Sequence, residues 1–287
     1  MCRIFGFRSV LLSKVHSSLV SAENALMSQS KRHPDGWGLA YYIAETPHIV
    51  KSTNTAETDE LFKKLSGIVS SQTVLAHIRK ATHGKLSLTN THPFQYGKWT
   101  FAHNGNIKNF HGVKEEMLKR ISPNVSPYYL GETDSELFFH FLLTYLEKEM
   151  DLHDPNPCIT KSMEILGHAL EDLNQIIGTL NIKDMGVPTD NYLTFVIANG
   201  PMMIGLNGGM SLYYSTHKKR CPERDTCSSF TASCEALPDE SGKVNHLIFS
   251  SEPLQGENIW IKMKPGELVG VARNMVLDHR QLNLNFA

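Results

Sequence analysis

An α+β fold, with sheets covered by helices, is what this sequence predicts, and three observations predict it. Apolar and polar residues alternate in short segments, at residues 37–43, 73–79, 99–104, 191–199, 244–251 and 267–272, as half-buried strands require. Apolar residues recur at helical spacing over residues 22–29, 57–65, 107–120, 133–148 and 158–179. The long helices cluster between early and late strands instead of alternating with them, which argues against a repeated βαβ unit. No Rossmann fingerprint, P-loop or internal repeat interrupts this pattern.

Taken in order, the first strand after residue 36 leaves the turn His33-Pro34-Asp35-Gly36, where proline and glycine set the backbone path. The strand at 73–79 ends at Arg79 and runs into a polar loop, Lys80-Ala81-Thr82-His83-Gly84. The strand at 99–104 ends in Asn104-Gly105, which reads equally as a two-residue hairpin turn. Residues 122–133, with two prolines and Gly131, form a loop between helices. The next helix opens on a capping box, with Thr133 as N-cap and Glu136 three residues on. Its apolar face, Leu137, Phe138, Phe141, Leu142 and Tyr145, is core. A polar, turn-rich loop insertion spans 216–242, and strand patterns resume after it, so residues 1–287 read as one domain.

Composition excludes several function classes. Twenty-eight basic against 29 acidic residues produce no field that would draw the chain onto nucleic acid or an anionic membrane. No apolar run approaches the roughly 20 residues of a membrane span, and the N-terminal segment is too polar for a secretory signal. Five cysteines, at 2, 158, 221, 227 and 234, fit a reducing compartment, so a cytoplasmic protein is expected. The gaps of five and six residues among Cys221, Cys227 and Cys234 do not suit structural zinc, and neither a metal nor an organic cofactor is expected.

The chemistry concentrates in a few residues. Cys2 follows the initiator methionine, and removal of Met1 would leave a thiol and a free α-amine on one residue. The reference pKa of the thiol is about 8.5 and that of the amine about 7.7–8.0, so the amine can take the thiol proton near neutrality. The bland reading is a small buried residue. Arg79 emerges where a carboxylate could be clamped, or where an acid pairs with it for stability. Asn104 and Gly105 can aim a side-chain amide and a backbone N–H at one point, a geometry suited to an oxyanion. Asp134 sits in the first turn of a helix, where the macrodipole favours a carboxylate in any case.

In this order, Cys2, His33-Pro34-Asp35-Gly36-Trp37-Gly38, Ala76-His77-Ile78-Arg79, Asn90-Thr91-His92-Pro93-Phe94, Phe101-Ala102-His103-Asn104-Gly105, Gly131-Glu132-Thr133-Asp134 and Ser250-Ser251-Glu252-Pro253-Leu254 resemble the class II glutamine amidotransferases. Within that family of N-terminal-nucleophile hydrolases the chain looks most like the stand-alone YafJ-like and γ-glutamyl amidohydrolase members. The resemblance implies a four-layer αββα sandwich whose first strand, residues 2–7, starts at the nucleophile. It implies that Cys2 attacks the γ-amide of glutamine or a γ-glutamyl compound, forming a thioester with its own α-amine as base. Asn104 and Gly105 would then hold the oxyanion, Arg79 the α-carboxylate and Asp134 the α-ammonium. Lys80 departs from the tryptophan common after this arginine in synthase-type members. The fate of the ammonia stays open: outright hydrolysis, delivery to a separate synthase, or a catalytically silent glutamine-binding regulatory module.

Overall fold

A computed structural model describes residues 2–184, 186–221, 224–225, 230, 232–238 and 240–287. Two antiparallel sheets lie face to face. The first has seven strands, built around β1 (Arg3–Lys14), which pairs on one side with β4 (Ser70–Ile78) and on the other with β10 (His246–Ser250). Beyond β4 come β2 (Trp37–Ile43) and β3 (Thr46–Ser52); beyond β10 come β9 (Tyr213–Ser215) and β11 (Ile261–Lys262). The second sheet runs β13 (Asp278–Gln281), β12 (Glu267–Val271), β8 (Met203–Leu206), β7 (Tyr192–Ala198), β6 (Trp99–Asn106) and β5 (Phe94–Tyr96).

Three apolar clusters show why the layers stack. Ile4, Leu75, Ala102, Val196, Met203 and Phe249 fill the space between the sheets. On the outer face of the first sheet, Phe5, Leu39 and Ala76 pack with Leu26 of α1 (Leu26–Gln29) and Phe62 of α2 (Glu60–Ile68). The outer face of the second sheet, with Phe101, Phe195 and Ile204, is covered by α4 (Asp134–Glu149) and α5 (Ile159–Ile177), and α3 (Phe110–Leu118) packs beside them. This is the four-layer αββα sandwich. Strands buried on both faces explain why every residue of β7 is buried. Aromatic contacts tie the layers: Phe101 stacks on Phe139 at 5.1 Å and meets Phe138 edge-on at 5.4 Å. Each such pair contributes about 0.5–1.5 kcal/mol beyond its buried area.

Several sequence expectations change. The first strand runs to Lys14 rather than Phe7, and Val10, Leu11 and Leu12 on its extension are exposed. Asn104-Gly105 is not a hairpin turn: β6 continues through both, with Asn104 opposite Thr194, Gly105 opposite Leu193 and Asn106 opposite Tyr192. The helix expected from 107 begins at Phe110, because β6 runs through Asn106 and Asn109 takes a left-handed conformation, φ 53°, ahead of the first turn. The capping box is half formed. Thr133 Oγ1 accepts from Glu136 N at 3.2 Å, but the Glu136 carboxylate reaches past it to Leu130 N and Gly131 N at 3.0 and 2.7 Å. Within the 216–242 loop, Cys227 lies outside the described residues.

Candidate active site

Register in the first sheet brings Cys2 and Arg79 together. Arg3 lies opposite Ile78 and Ile4 opposite His77, so Cys2 comes beside Arg79 on the face turned to the second sheet. The Cys2 thiol is buried, 3.3 Å from the Lys80 N–H and 3.4 Å from the Lys80 carbonyl. Burial pushes its pKa up, opposed by the Lys80 hydrogen bond and by nearby positive charge, that of the terminal amine and that of Arg79. A thiol held this way needs a base to become the nucleophile. The Lys80 side chain, in contrast, is exposed, and only its backbone serves the site.

Arg79 is 3% exposed, and its guanidinium donates to the carbonyls of His83 (3.1 Å), Lys85 (3.3 Å) and Gly84 (3.5 Å). Its backbone is clamped too, by a bond from its N–H to Gly36 O and one from Asp35 N–H to its own carbonyl. Carbonyl oxygens solvate the cation without neutralising it, and no carboxylate among the described residues forms an ion pair with it. Burial lowers its pKa, with Cys2 and Asp35 acting against that shift. A buried cation without a counter-ion is costly and is well suited to receive an anion.

Close backbone contacts hold these loops. A Cβ on Gly38 would come within 2.0 Å of the His92 carbonyl oxygen, so only glycine lets the segment before β5 lie across β2. Asn90 ties the loop after Arg79 to the segment before α4: its Nδ2 donates to Lys85 O at 3.1 Å and its Oδ1 accepts from Glu132 N at 2.9 Å.

Asn104 faces the inter-sheet space, as Ala102 does two residues earlier on β6. Its Oδ1 is buried without a partner, and its amide nitrogen makes no hydrogen bond among the described residues. The Gly105 N–H is open for a geometric reason. Leu193 opposite it turns its own N–H to Gly208 O at 2.9 Å, so the two form a non-hydrogen-bonded pair. The Gly105 amide then points away from β7, and β5 on that side pairs only with residues 99–101. A side chain at 105 would be within 1.9 Å of His103 Nε2 and 2.2 Å of Tyr192 O.

Asp134 is buried at the start of α4, and both its oxygens are fixed, Oδ2 by Ile107 N and Oδ1 by Ser135 N, each at 2.8 Å. Each oxygen keeps a lone pair for a further donor. Asp134 also raises the Cys2 pKa by its charge, which puts it within electrostatic reach of the thiol. A cavity of about 310 Å³ adjoins the Arg79 loop, lined by His83, Gly84, Phe110, His111, Lys114 and Glu132. A larger one, about 450 Å³, lies farther along at Lys108, Asn109, Ile177 and Asn191. Among the described residues no group of His, Cys, Asp or Glu is placed to hold a metal ion, and no helix is long and apolar enough to cross a membrane.

Of the residues singled out from the sequence, register sets Arg79 beside Cys2, Asn104 faces the same inter-sheet space, and Asp134 acts on the thiol through its charge. The buried Asn90, which ties two of these loops, stands in the Asn90-Thr91-His92-Pro93-Phe94 motif, but nothing in the sequence gives it a role of its own, since an Asn in a polar loop reads equally as a turn residue.

The family model for glutamine amidotransferases class-II matches residues 1–280. The chain belongs to this family. It is similar to the "Probable glutamine amidotransferase DUG3" of Saccharomyces cerevisiae, with 33% identity covering 97% of this chain and 84% of that protein. It is also similar to glutamine–fructose-6-phosphate aminotransferase (isomerizing) of Sulfurisphaera tokodaii, 26% identical, where the match covers 75% of this chain but only 33% of that longer enzyme. A solved glutamine aminotransferase class-II domain protein from Silicibacter pomeroyi shares the fold, with a TM-score of 0.60 at 20% identity over 98% of this chain and 99% of that one.

Proposed function

We propose that this class II glutamine amidotransferase hydrolyses the γ-amide of glutamine or of a γ-glutamyl compound through a thioester on Cys2. The observation that carries the reading is a buried thiol beside a buried arginine that follows the neighbouring strand and has no ion-pair partner among the described residues. A thiol alone would suit many electrophiles. A cation beside it selects a substrate that carries a carboxylate, and the fixed Asp134 carboxylate favours an ammonium on the same molecule.

With Met1 removed, the α-amine of Cys2 takes the thiol proton, and the sulfur attacks the γ-carbonyl carbon. The carbonyl oxygen becomes an oxyanion received by Asn104 Nδ2 and the Gly105 N–H. Collapse breaks the C–N bond as the ammonium returns its proton to the leaving nitrogen, so ammonia or an amine departs. Water, deprotonated by the same amine, then attacks the thioester, releasing glutamate and restoring the thiol.

The test is purification of the processed chain, with intact mass confirming that it starts at Cys2. Incubation with glutamine and with γ-glutamyl dipeptides should release glutamate and ammonia or amine, and a glutamine-mimicking electrophile should add one adduct at Cys2. Neither release nor adduct from the processed chain refutes the proposal. A retained Met1 should abolish both.

A further inference from the structure

Beneath the nucleophile the space between the sheets is polar where an apolar core is expected. His77 lies opposite Ile4 on one side and Gly38 on the other, so its side chain enters the inter-sheet space one layer below Cys2 and Arg79. Its ring reaches the second sheet, with Nε2 3.3 Å from the carbonyl oxygen of His103, the residue before Asn104. The His92 ring packs on it with centroids 4.1 Å apart, and the His92 backbone rests on Gly38. All three side chains are buried: His77 is 0% exposed, His92 4% and Asn104 1%. Yet His77 Nδ1, both ring nitrogens of His92 and Asn104 Oδ1 have no partner among the described residues.

Each such group costs about 1–3 kcal/mol if left unsatisfied. Their chemistry indicates what satisfies them. A carbonyl oxygen only accepts, so His77 Nε2 carries the proton and Nδ1 is an acceptor. Asn104 Oδ1 is a second acceptor, and the neutral His92 ring offers one N–H. Burial keeps both rings neutral, with the His77 pKa lowered to about 3 and that of His92 well below its ordinary value. The second His92 nitrogen is a third acceptor; a single water can give its two O–H bonds to His77 Nδ1 and Asn104 Oδ1 and take the His92 N–H on a lone pair.

We infer that His77 and His92 are positioning residues for the oxyanion-binding amide: through one internal water they hold Asn104 Oδ1, which leaves Nδ2 directed at the substrate carbonyl. The inference rests on the proposed amidase activity for its purpose, though not for its geometry. It assigns to the histidines no contact with substrate. Their effect runs wholly through Asn104.

The experiment is a double-mutant cycle on the processed enzyme, reading glutamate release. His92→Phe keeps an aromatic ring on His77 and removes both nitrogens. It should lower kcat about 10- to 100-fold, within the loss typical of one oxyanion donor, and change KM less than about twofold. The rate of Cys2 alkylation by iodoacetamide should stay the same. His92→Gln, which retains a donor and an acceptor, should recover most of kcat. In an Asn104→Ala background, His92→Phe should have no further effect, because the amide it positions is gone. Losses that multiply in the double variant, or wild-type kcat in His92→Phe, overturn the inference. If the processed wild-type chain releases no glutamate, the amidase proposal fails instead, and the geometry is still tested by crystallography. A water bonded to His77 Nδ1, His92 and Asn104 Oδ1 supports it. A site without that water overturns it, and this measurement holds even if His92→Phe does not fold.

Discussion

Replacing Arg79 with glutamine tests the substrate clamp directly. The guanidinium donates to three carbonyl oxygens, at 3.1, 3.3 and 3.5 Å, and no carboxylate among the described residues forms an ion pair with it. In the proposed complex that charge meets the substrate α-carboxylate. A hydrogen bond to a charged partner contributes about 1.5–3 kcal/mol, and a bidentate pair about twice that before desolvation. Allowing for the desolvation of both ions, a net loss near 3–4 kcal/mol is reasonable, which at 1.4 kcal/mol per decade is a fall in kcat/KM of about 10²–10³. Because the carboxylate is bound in the ground state and the transition state alike, most of that fall should appear in KM. Stability should change less. Glutamine keeps two of the donors, and removing an unpaired buried cation offsets the lost bonds, so the expected change is within about 2 kcal/mol. The assay is glutamate or amine release from glutamine, alongside ammonia release from 4-aminobutanamide, which lacks the α-carboxylate. The variant should lose its advantage for glutamine and handle the truncated amide as the wild type does. Equal losses on both substrates, or a fall confined to kcat, would refute the clamp.

Three further outcomes follow from the packing. Gly105→Ala places a methyl group within 1.9 Å of His103 Nε2 and 2.2 Å of a backbone oxygen, so β6 and β7 must separate; it should destabilise by about 3 kcal/mol or more, read as a lower urea midpoint. An unchanged midpoint would contradict the strand pairing at that residue. Tyr42→Phe removes a buried hydroxyl bonded to Lys98 O, Thr100 Oγ1 and Ala198 O, and should cost about 1–3 kcal/mol in the same measurement with KM unaffected. On acidification, His33, His77 and His246, whose pKa values burial lowers to about 4, 3 and 4, stay neutral in the folded state while the unfolded chain protonates them below about 6.5. The unfolded state binds more protons there, so stability falls as pH drops from about 6.5 toward 4, by up to about 1.4 kcal/mol per pH unit for each histidine. Nitrogen NMR that finds these rings protonated in the folded protein at pH 5.5 would contradict this.

Much of the fold could be read along the chain because its signals are local. Strand β2 and helix α4 sit within a residue of their patterned segments, since alternation and helical spacing are written in consecutive residues. Strands β3, β5, β8, β9, β11 and β13 were not legible. They are short or lie at or near sheet edges, and edge pairing is decided by what arrives beside them. β3 even contains Pro47, which argues against a strand in isolation. At the site, the Asn-Gly of β6 shows the same limit. The dipeptide suits a hairpin, but seven consecutive pairings with β7 hold it straight.

The sequence by itself determined which residue types are available and in what order: a cysteine at position 2, an arginine ending a strand pattern, an Asn-Gly after another, and an aspartate behind a helix cap. Those follow from composition and periodicity, which need no distant contact. Only the tertiary structure decided what they face. Strand register set Cys2 beside Arg79, the turned Leu193 amide left the Gly105 N–H open, and the packing of one sheet on the other buried Asn104, His77 and His92 between them. Each of these depends on residues dozens to hundreds of positions apart, which no local pattern encodes.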